Sequence, residues 1–361
     1  MKGKFEKEKK PLGVWKVVAI VLLILLLLIL TIVALIYGYY RSKINLLQED
    51  TPVTGTLSVQ DEIELNNDAQ DYINEIQGAL DNETLPEIEV TEATVPVKED
   101  DEVINVLLIG TDDRTKNFST NARGDSCMLL SVNTHGETPV VSLVSFERGM
   151  GVPILDGQYK GQWDWLTHTF RYGGAELMLR EIQECFKVDV DYYIRVNHHA
   201  FENCIDAIGG VDVYFDDAEA TYFRDGHISP DIYPGMNHLD GRLALNYARL
   251  REIDSDWQRI QRQREVIISA FDQVKRMNLV EIDGLINELL GLVRTNLDEK
   301  TITRLLLLAP SLIGAQFQQM TIPAKGTYGG MTGMDGRPLF AVDFETNAQI
   351  LHEFIYPHLS E

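Results

Sequence analysis

The sequence predicts an α/β domain behind a single N-terminal transmembrane helix. Two observations carry this: residues 17–37 form one uninterrupted apolar run, and from residue 101 onward short apolar runs alternate with segments of helical period. With 361 residues, 45% of them hydrophobic and 24% charged, the chain can bury a large core without disulfides or metals. The same values disfavour a disordered, collagenous or multi-span protein.

The first element, VVAIVLLILLLLILTIVALIY, holds no charge and no proline, and as a helix it covers roughly 30 Å of hydrocarbon. Trp15 and the Tyr37, Tyr39, Tyr40 group stand where aromatic belts belong, and Lys16 and Arg41 close the two ends. Ahead of it Lys2, Lys4, Lys7, Lys9, Lys10 and Lys16 face only Glu6 and Glu8. Residues 1–16 are therefore expected to be a cytoplasmic basic tail, 17–40 a single-pass anchor in the cell membrane, and the rest extracellular. A cleaved signal peptide is the competing reading, but the run exceeds the usual apolar region of one and no small-x-small cleavage site follows it. Residues 41–100 read as an acidic extracellular stalk: between Lys43 and Arg114 the one basic residue is Lys98, and Pro86 and Pro96 mark extended chain. The stretch 57–80 can still form a helix.

Within the remaining domain, 101–361, the pattern predicts strands at 103–109, 127–132, 140–145, 192–196 and 211–215. Helices are predicted at 174–186, 199–208, 239–250, 256–277, 301–312 and 346–354. Gly209-Gly210 stops the second of these helices. Cys127, Cys185 and Cys204 fit neither a disulfide framework nor a zinc ribbon and are expected to pack as small apolar residues.

Charge narrows the chemistry. The 32 basic and 55 acidic side chains leave a net charge of −23, which argues against nucleic acid as a partner and requires any polyanion to meet a local basic site. A GxGxxG loop, a GxxxxGK loop, an HExxH helix and a GxSxG elbow are absent, which removes the common nucleotide, zinc-protease and serine-hydrolase readings. Arginine and aspartate remain, in three clusters. Gly110-Thr111-Asp112-Asp113-Arg114 ends the first buried strand and Arg123-Gly124-Asp125 opens the next, so Asp112 and Asp125 can share one hard cation such as Mg²⁺. Arg148 lies just beyond the third strand. Arg249, Arg251, Arg259, Arg262 and Arg264 then gather within sixteen positions, and guanidinium groups grip phosphate bidentately at any working pH. Taken singly, each arginine is better explained by a solvated ion pair with acids such as Glu252 and Asp254. An acidic chain that concentrates its cations in one place points instead to a diphosphate site.

Arg249 and Arg251 cannot share a ligand from a regular helix, where one intervening residue separates side chains by about 200°. The helix is therefore expected to end near Tyr247 or Ala248, with Leu250 in the core and both guanidiniums on one side of an extended segment. Leu243, Leu245, Val266, Ile267 and Ile268 line either the core or an apolar tunnel. His168, His198 and His199 read as structural or surface residues, and Trp163, Trp165 and Tyr172 as aromatic core or sugar-stacking platforms.

The succession of anchor, stalk, LLIGTDDR, ARGDSCML, SFERG, WDWLTHTFRYGG, AFENCIDAIGGVDVYF, GMNHLDGRLALNYARLRE and DSDWQRIQRQREVI resembles the LytR-CpsA-Psr family of envelope phosphotransferases over roughly residues 103–268. The resemblance implies a central mixed β-sheet flanked by helices on both faces, a three-layer sandwich with an apolar tunnel for a lipid tail. It implies an enzyme that moves an anionic glycopolymer, of the teichoic acid or capsule kind, from a polyprenyl pyrophosphate carrier to peptidoglycan with Mg²⁺. On this pattern Asp112 and Asp125 match the metal-linked aspartates, Arg114 and Arg123 the arginines beside them, and Arg148 the arginine after the third strand. Arg249 and Arg251 match the paired arginines, and Arg259 and Gln263 the residues of the following helix. The resemblance thus makes Asp125, Arg148, Arg249 and Arg251 catalytic, and Arg114, Arg123, Arg259 and Gln263 pyrophosphate-binding. One segment departs from the pattern: Glu147-Arg148-Gly149 stands where the family usually has Pro-Arg-Asp, which removes an aspartate suited to orienting Arg148 or a metal-bound water. Two other readings stay open, a non-catalytic binder of polyprenyl-linked precursors and a pyrophosphatase in which water replaces the sugar acceptor.

Overall fold

The computed structural model describes residues 38–39, 41–42, 46, 49–50, 53, 73–74, 76–78, 80, 85–90, 92–113 and 118–359. The apolar run 17–37 and Arg114 lie outside them, and among the described residues no helix is long and apolar enough to cross a membrane. The elements below belong to one unit, residues 47–361.

In chain order they are β1 (Val103–Thr111), β2 (Gly124–Asn133), β3 (Val140–Phe146), β4 (Gly151–Pro153), β5 (Trp163–Trp165), α1 (Leu166–Phe186), β6 (Tyr192–Asn197), α2 (His198–Ala207), β7 (Val211–Phe215) and α3 (Asp217–Asp225). There follow β8 (Gly235–Leu239), α4 (Gly241–Arg249), α5 (Asp256–Val274), α6 (Leu279–Leu292), β9 (Arg294–Thr295), α7 (Glu299–Leu312), β10 (Gln316–Ile322), β11 (Tyr328–Thr332), β12 (Pro338–Val342) and α8 (Phe344–Ile355).

Six strands form a mixed central sheet in the order β10-β3-β2-β1-β6-β9. β2 runs antiparallel to both β1 and β3, whereas β6 pairs parallel with β1 and β10 parallel with β3. The carboxyl ends of β1, β3, β6 and β10 therefore meet at one edge, where β2 begins, and such an edge is where α/β folds build their sites.

The period-two pattern of β1 divides its side chains between two cores. Val103, Leu107 and Ile109 face α1 and α8, whose Ile182, Phe186, Leu351 and Ile355 complete that layer. Ile104 and Val106 face the other way, against Leu305, Leu308 and Leu312 of α7. α5 is fastened on this second face through Arg264, which donates to Ser145 Oγ at 2.9 Å, Thr321 Oγ1 at 2.8 Å and Gln319 Oε1 at 2.9 Å. This is the mixed sheet between helical layers that the resemblance implied.

All five predicted strands are present, but β7 pairs antiparallel with β8 in a two-stranded sheet apart from the central one and shares a core of its own with α3 and α4. The predicted 239–250 helix starts later because residues up to Leu239 belong to β8; Asp240 caps it, accepting from Leu243 N at 2.7 Å. α1 begins at Leu166 rather than 174, with a kink at Gly173 and Gly174, the latter at φ 69° where a side chain would be strained. The three cysteines are free, Cys127 and Cys185 buried and Cys204 half-buried.

The stalk reading needs correction for the described part of 41–100. Ala93 is buried in the main core, Ile76 packs with Trp165 and Leu339, and Thr94 donates from its backbone N and its hydroxyl to Glu345, at 2.6 and 3.0 Å. Acidic composition gave no warning of this packing, because a few apolar residues suffice to dock an extended segment.

Candidate active site

At the strand edge the β1–β2 register shifts between Gly110 and Thr111, and the next residue turns back on β2. Asp112 N donates to the Arg123 carbonyl at 3.2 Å, while Asp112 accepts from Arg123 N at 2.8 Å and from Arg123 Nε at 2.9 Å. Its neighbour Asp113 serves the scaffold: it accepts from Thr111 Oγ1 at 2.5 Å and Ser119 N at 2.9 Å and lies 3.7 Å from the buried Arg195.

Asp125, the second residue of β2, lies 3.7 Å from both Arg123 Nη2 and Arg148 Nη1. It accepts from Thr167 Oγ1 at 3.1 Å, and its carbonyl accepts from Arg259 Nη2 at 3.1 Å. α5 presents Asp256, Arg259 and Gln263 on one face, since their spacing places them within an arc of about 60°. Asp256 Oδ1 stands 2.8 Å from Arg259 Nε and 3.1 Å from Arg148 Nε, and Gln263 accepts from Ser126 Oγ at 3.0 Å. Strand ends, the first turn of α1 and the first two turns of α5 thus hold one network of arginines and carboxylates.

The electrostatics separate the two aspartates. Burial raises Asp125, but Arg123, Arg148 and Arg259 outweigh it and hold the carboxyl below the usual carboxylate range. Asp112 is pushed upward, by burial first and then by the charge of Asp125, with Arg123 opposing both.

Of the predicted site residues, Asp112, Arg123, Asp125, Arg148, Arg259 and Gln263 come together in this network. Its contacts above do not include Arg249 and Arg251. α4 runs through Arg249, slightly past the expected end, and Leu250 leaves the helix at ψ 123° and is buried, as expected. Arg249 is exposed and Arg251 half-buried, its N–H donating to Glu252 Oε2 at 3.0 Å. Arg262 and Arg264, counted with the phosphate grip in the sequence, are structural. Arg262 binds Glu219 at 2.7 Å, the Leu250 carbonyl at 2.8 Å and Asp254, which fixes the segment carrying Arg251. Sequence reasoning missed Asp256 and Thr167. The signal for Asp256 was present: a carboxylate in the first turn of a helix, three residues before an arginine.

His168 is structural, as expected. It lies 2.9 Å from Asp164, which also accepts from Arg337 at 2.8 Å, in a buried group with Tyr172. Burial raises Asp164, but the His168 and Arg337 interactions prevail and hold it at about 2.

The model of the LytR_cpsA_psr family matches residues 64–353. The chain belongs to this family. A polyisoprenyl-teichoic acid–peptidoglycan teichoic acid transferase, TagT of Bacillus subtilis, is 30% identical over 254 residues, 69% of this chain and 74% of TagT. TagU of Bacillus anthracis, of the same description, is 33% identical over 168 residues, 46% of this chain and about half, 51%, of TagU. A solved structure of TagT bound to LIIa-WTA superposes with a TM-score of 0.56 at 24% identity, covering 76% of this chain and 100% of that one, and so shares the fold.

The departure from the LytR_cpsA_psr pattern now has a physical account. Asp256 stands 3.1 Å from Arg148, so a carboxylate still faces this arginine although Gly149 supplies none. Glu147, 1% exposed, accepts from Gly149 N and hydrogen-bonds Asp256 through its side chain. Burial, reinforced by the charge of Asp256, raises Glu147 well above its ordinary range, whereas Arg148 and Arg259 overcome burial to lower Asp256. Of the two carboxyls, Glu147 is the one whose protonated form the site favours, and Asp256 the one whose ionised form it favours.

Proposed function

We propose that this LytR_cpsA_psr protein is a membrane-anchored, Mg²⁺-dependent phosphotransferase that moves an anionic glycopolymer of the teichoic acid kind from a polyprenyl pyrophosphate carrier to peptidoglycan. The observation that carries the reading is the convergence of Arg123, Arg148 and Arg259 on Asp125, with Asp112 alongside, in an otherwise strongly acidic chain. The activities named for TagT and TagU support the donor and the acceptor. The lysine-rich residues 1–16 and the apolar 17–40 support a cytoplasmic N-terminus, a single membrane pass and an extracellular catalytic domain.

Asp112 and Asp125 fit a magnesium ion: they are hard oxygen donors from neighbouring strand ends, and the repulsion that lifts Asp112 is what a shared dication relieves. Bound there, Mg²⁺ supplies charge neutralisation at the diphosphate oxygens. In the transfer, a sugar hydroxyl of the acceptor attacks the glycopolymer phosphorus, the bond to the carrier phosphate breaks, and the hydroxyl proton ends on the departing polyprenyl phosphate or in solvent. Arg148, held in place by Asp256, and Arg123 and Arg259 stabilise the charge that develops on the departing polyprenyl phosphate, with Arg249 contributing from the last turn of α4 and Arg251 from the segment that follows it. Asp125, kept ionised by three guanidiniums, is a weak base and acts as an anchor rather than a proton acceptor.

Purified protein given a polyprenyl pyrophosphate-linked glycopolymer, peptidoglycan and Mg²⁺ should release polyprenyl phosphate and label the peptidoglycan. Chelation or Asp125→Ala should stop turnover while circular dichroism is unchanged. Carrier cleavage without labelling would favour the pyrophosphatase, and no cleavage the binder.

A further inference from the structure

β1 spans roughly 25–30 Å, so the opposite end of the central sheet is remote from the arginine network. There Asp100 precedes β1, His135 follows β2, and His358 lies in the C-terminal turn Pro357–Leu359. The geometry points to a second metal site, for a divalent transition ion such as Zn²⁺, formed by Asp100, His135 and His358. His135 Nε2 lies 3.1 Å from both Asp100 oxygens, and His358 Nε2 lies 2.7 Å from Asp100 Oδ2. One donor atom from each of the three residues falls within 4.8 Å of the other two. A tetrahedral ion with bonds of about 2.0–2.1 Å needs ligand atoms about 3.3 Å apart, so small side-chain adjustments complete the set.

Two further features suit an ion. Glu102 Oε2 stands 3.3 Å from His135 Nδ1, the carboxylate–histidine arrangement that orients the ring and leaves Nε2 to coordinate. A cavity of about 320 Å³, lined by both histidines together with Asn133, Val140 and Gln318, adjoins the cluster and gives room for a water as fourth ligand. Two imidazoles and one carboxylate favour Zn²⁺ or Ni²⁺ over Mg²⁺, so the two ends of the sheet select different metals. An ion here ties the chain's entry into β1 to its C-terminal turn.

Tag-free, chelator-stripped full-length protein in detergent, titrated with Zn²⁺ against a chromophoric chelator, should hold one equivalent. His135→Ala and His358→Ala should each weaken it by about tenfold or more, and Asp125→Ala should leave it intact. Zn²⁺ should also raise the thermal midpoint of the wild type but not that of His358→Gln, a conservative change in the last turn that keeps Mg²⁺-supported transfer. A wild type that competes for no Zn²⁺, or a His135→Ala/His358→Ala double variant that retains the equivalent, would overturn the assignment.

Discussion

Glu147 replaces a proline of the LytR_cpsA_psr pattern with a buried acid that hydrogen-bonds Asp256 and whose protonated form burial favours. A glutamine in its place can donate to Asp256 and accept from Gly149 N, whereas alanine leaves a buried N–H unsatisfied at a cost of about 1–3 kcal/mol. The folded-state pKa of Glu147 is raised, so its contribution is complete below the unfolded value of about 4.3 and is lost as pH rises through the folded one. Turnover by Glu147→Gln should therefore fall off less with rising pH than that of the wild type, while Glu147→Ala should lose both activity and thermal stability. A pH–rate profile of the three proteins checks this. An alanine variant equal to wild type would show that the Glu147–Asp256 bond does not position Arg148.

At the scale of elements, α1 carries a buried acid away from the site. Glu181 accepts from Leu155 N at 2.9 Å, and burial pushes it up to about 8. Its stabilising contribution is present below about 4.3 and declines as pH rises toward 8. Thermal midpoints measured from pH 5 to pH 8 should fall less steeply for Glu181→Gln than for the wild type; parallel curves would contradict the burial argument. α5 shows what was legible in sequence. Its helical period already places Arg259 and Gln263 together with Asp256, and the same period turns Arg262 about 90° and Arg264 about 110° from the middle of that arc. Counting arginines without resolving faces merged the two groups. β7 was legible as a strand because apolar residues alternate along it, but alternation does not name the partner strand, and its pairing with β8 came from the structure. β10, with the sequence QFQQMTI, hides a sheet strand behind three glutamines, one of which serves as an acceptor for Arg264.

For the whole molecule, the strand directions gather the motif-bearing ends at one edge, and that convergence is what turned scattered Asp and Arg motifs into one network. The sequence motifs located six of its members; Asp256 and Thr167 emerged only once α5 and α1 were placed against β2. The proposed topology belongs to this scale too. A protease applied to intact protoplasts should reach residues after Arg41, and protection of that region would contradict an extracellular domain. The most direct measurement is a crystal soaked with a polyprenyl pyrophosphate and Mn²⁺ as an anomalous stand-in for Mg²⁺. The account predicts the ion between Asp112 and Asp125 and the diphosphate within hydrogen-bond reach of Arg123, Arg148 and Arg259. A diphosphate bound elsewhere, out of reach of these arginines, would contradict it.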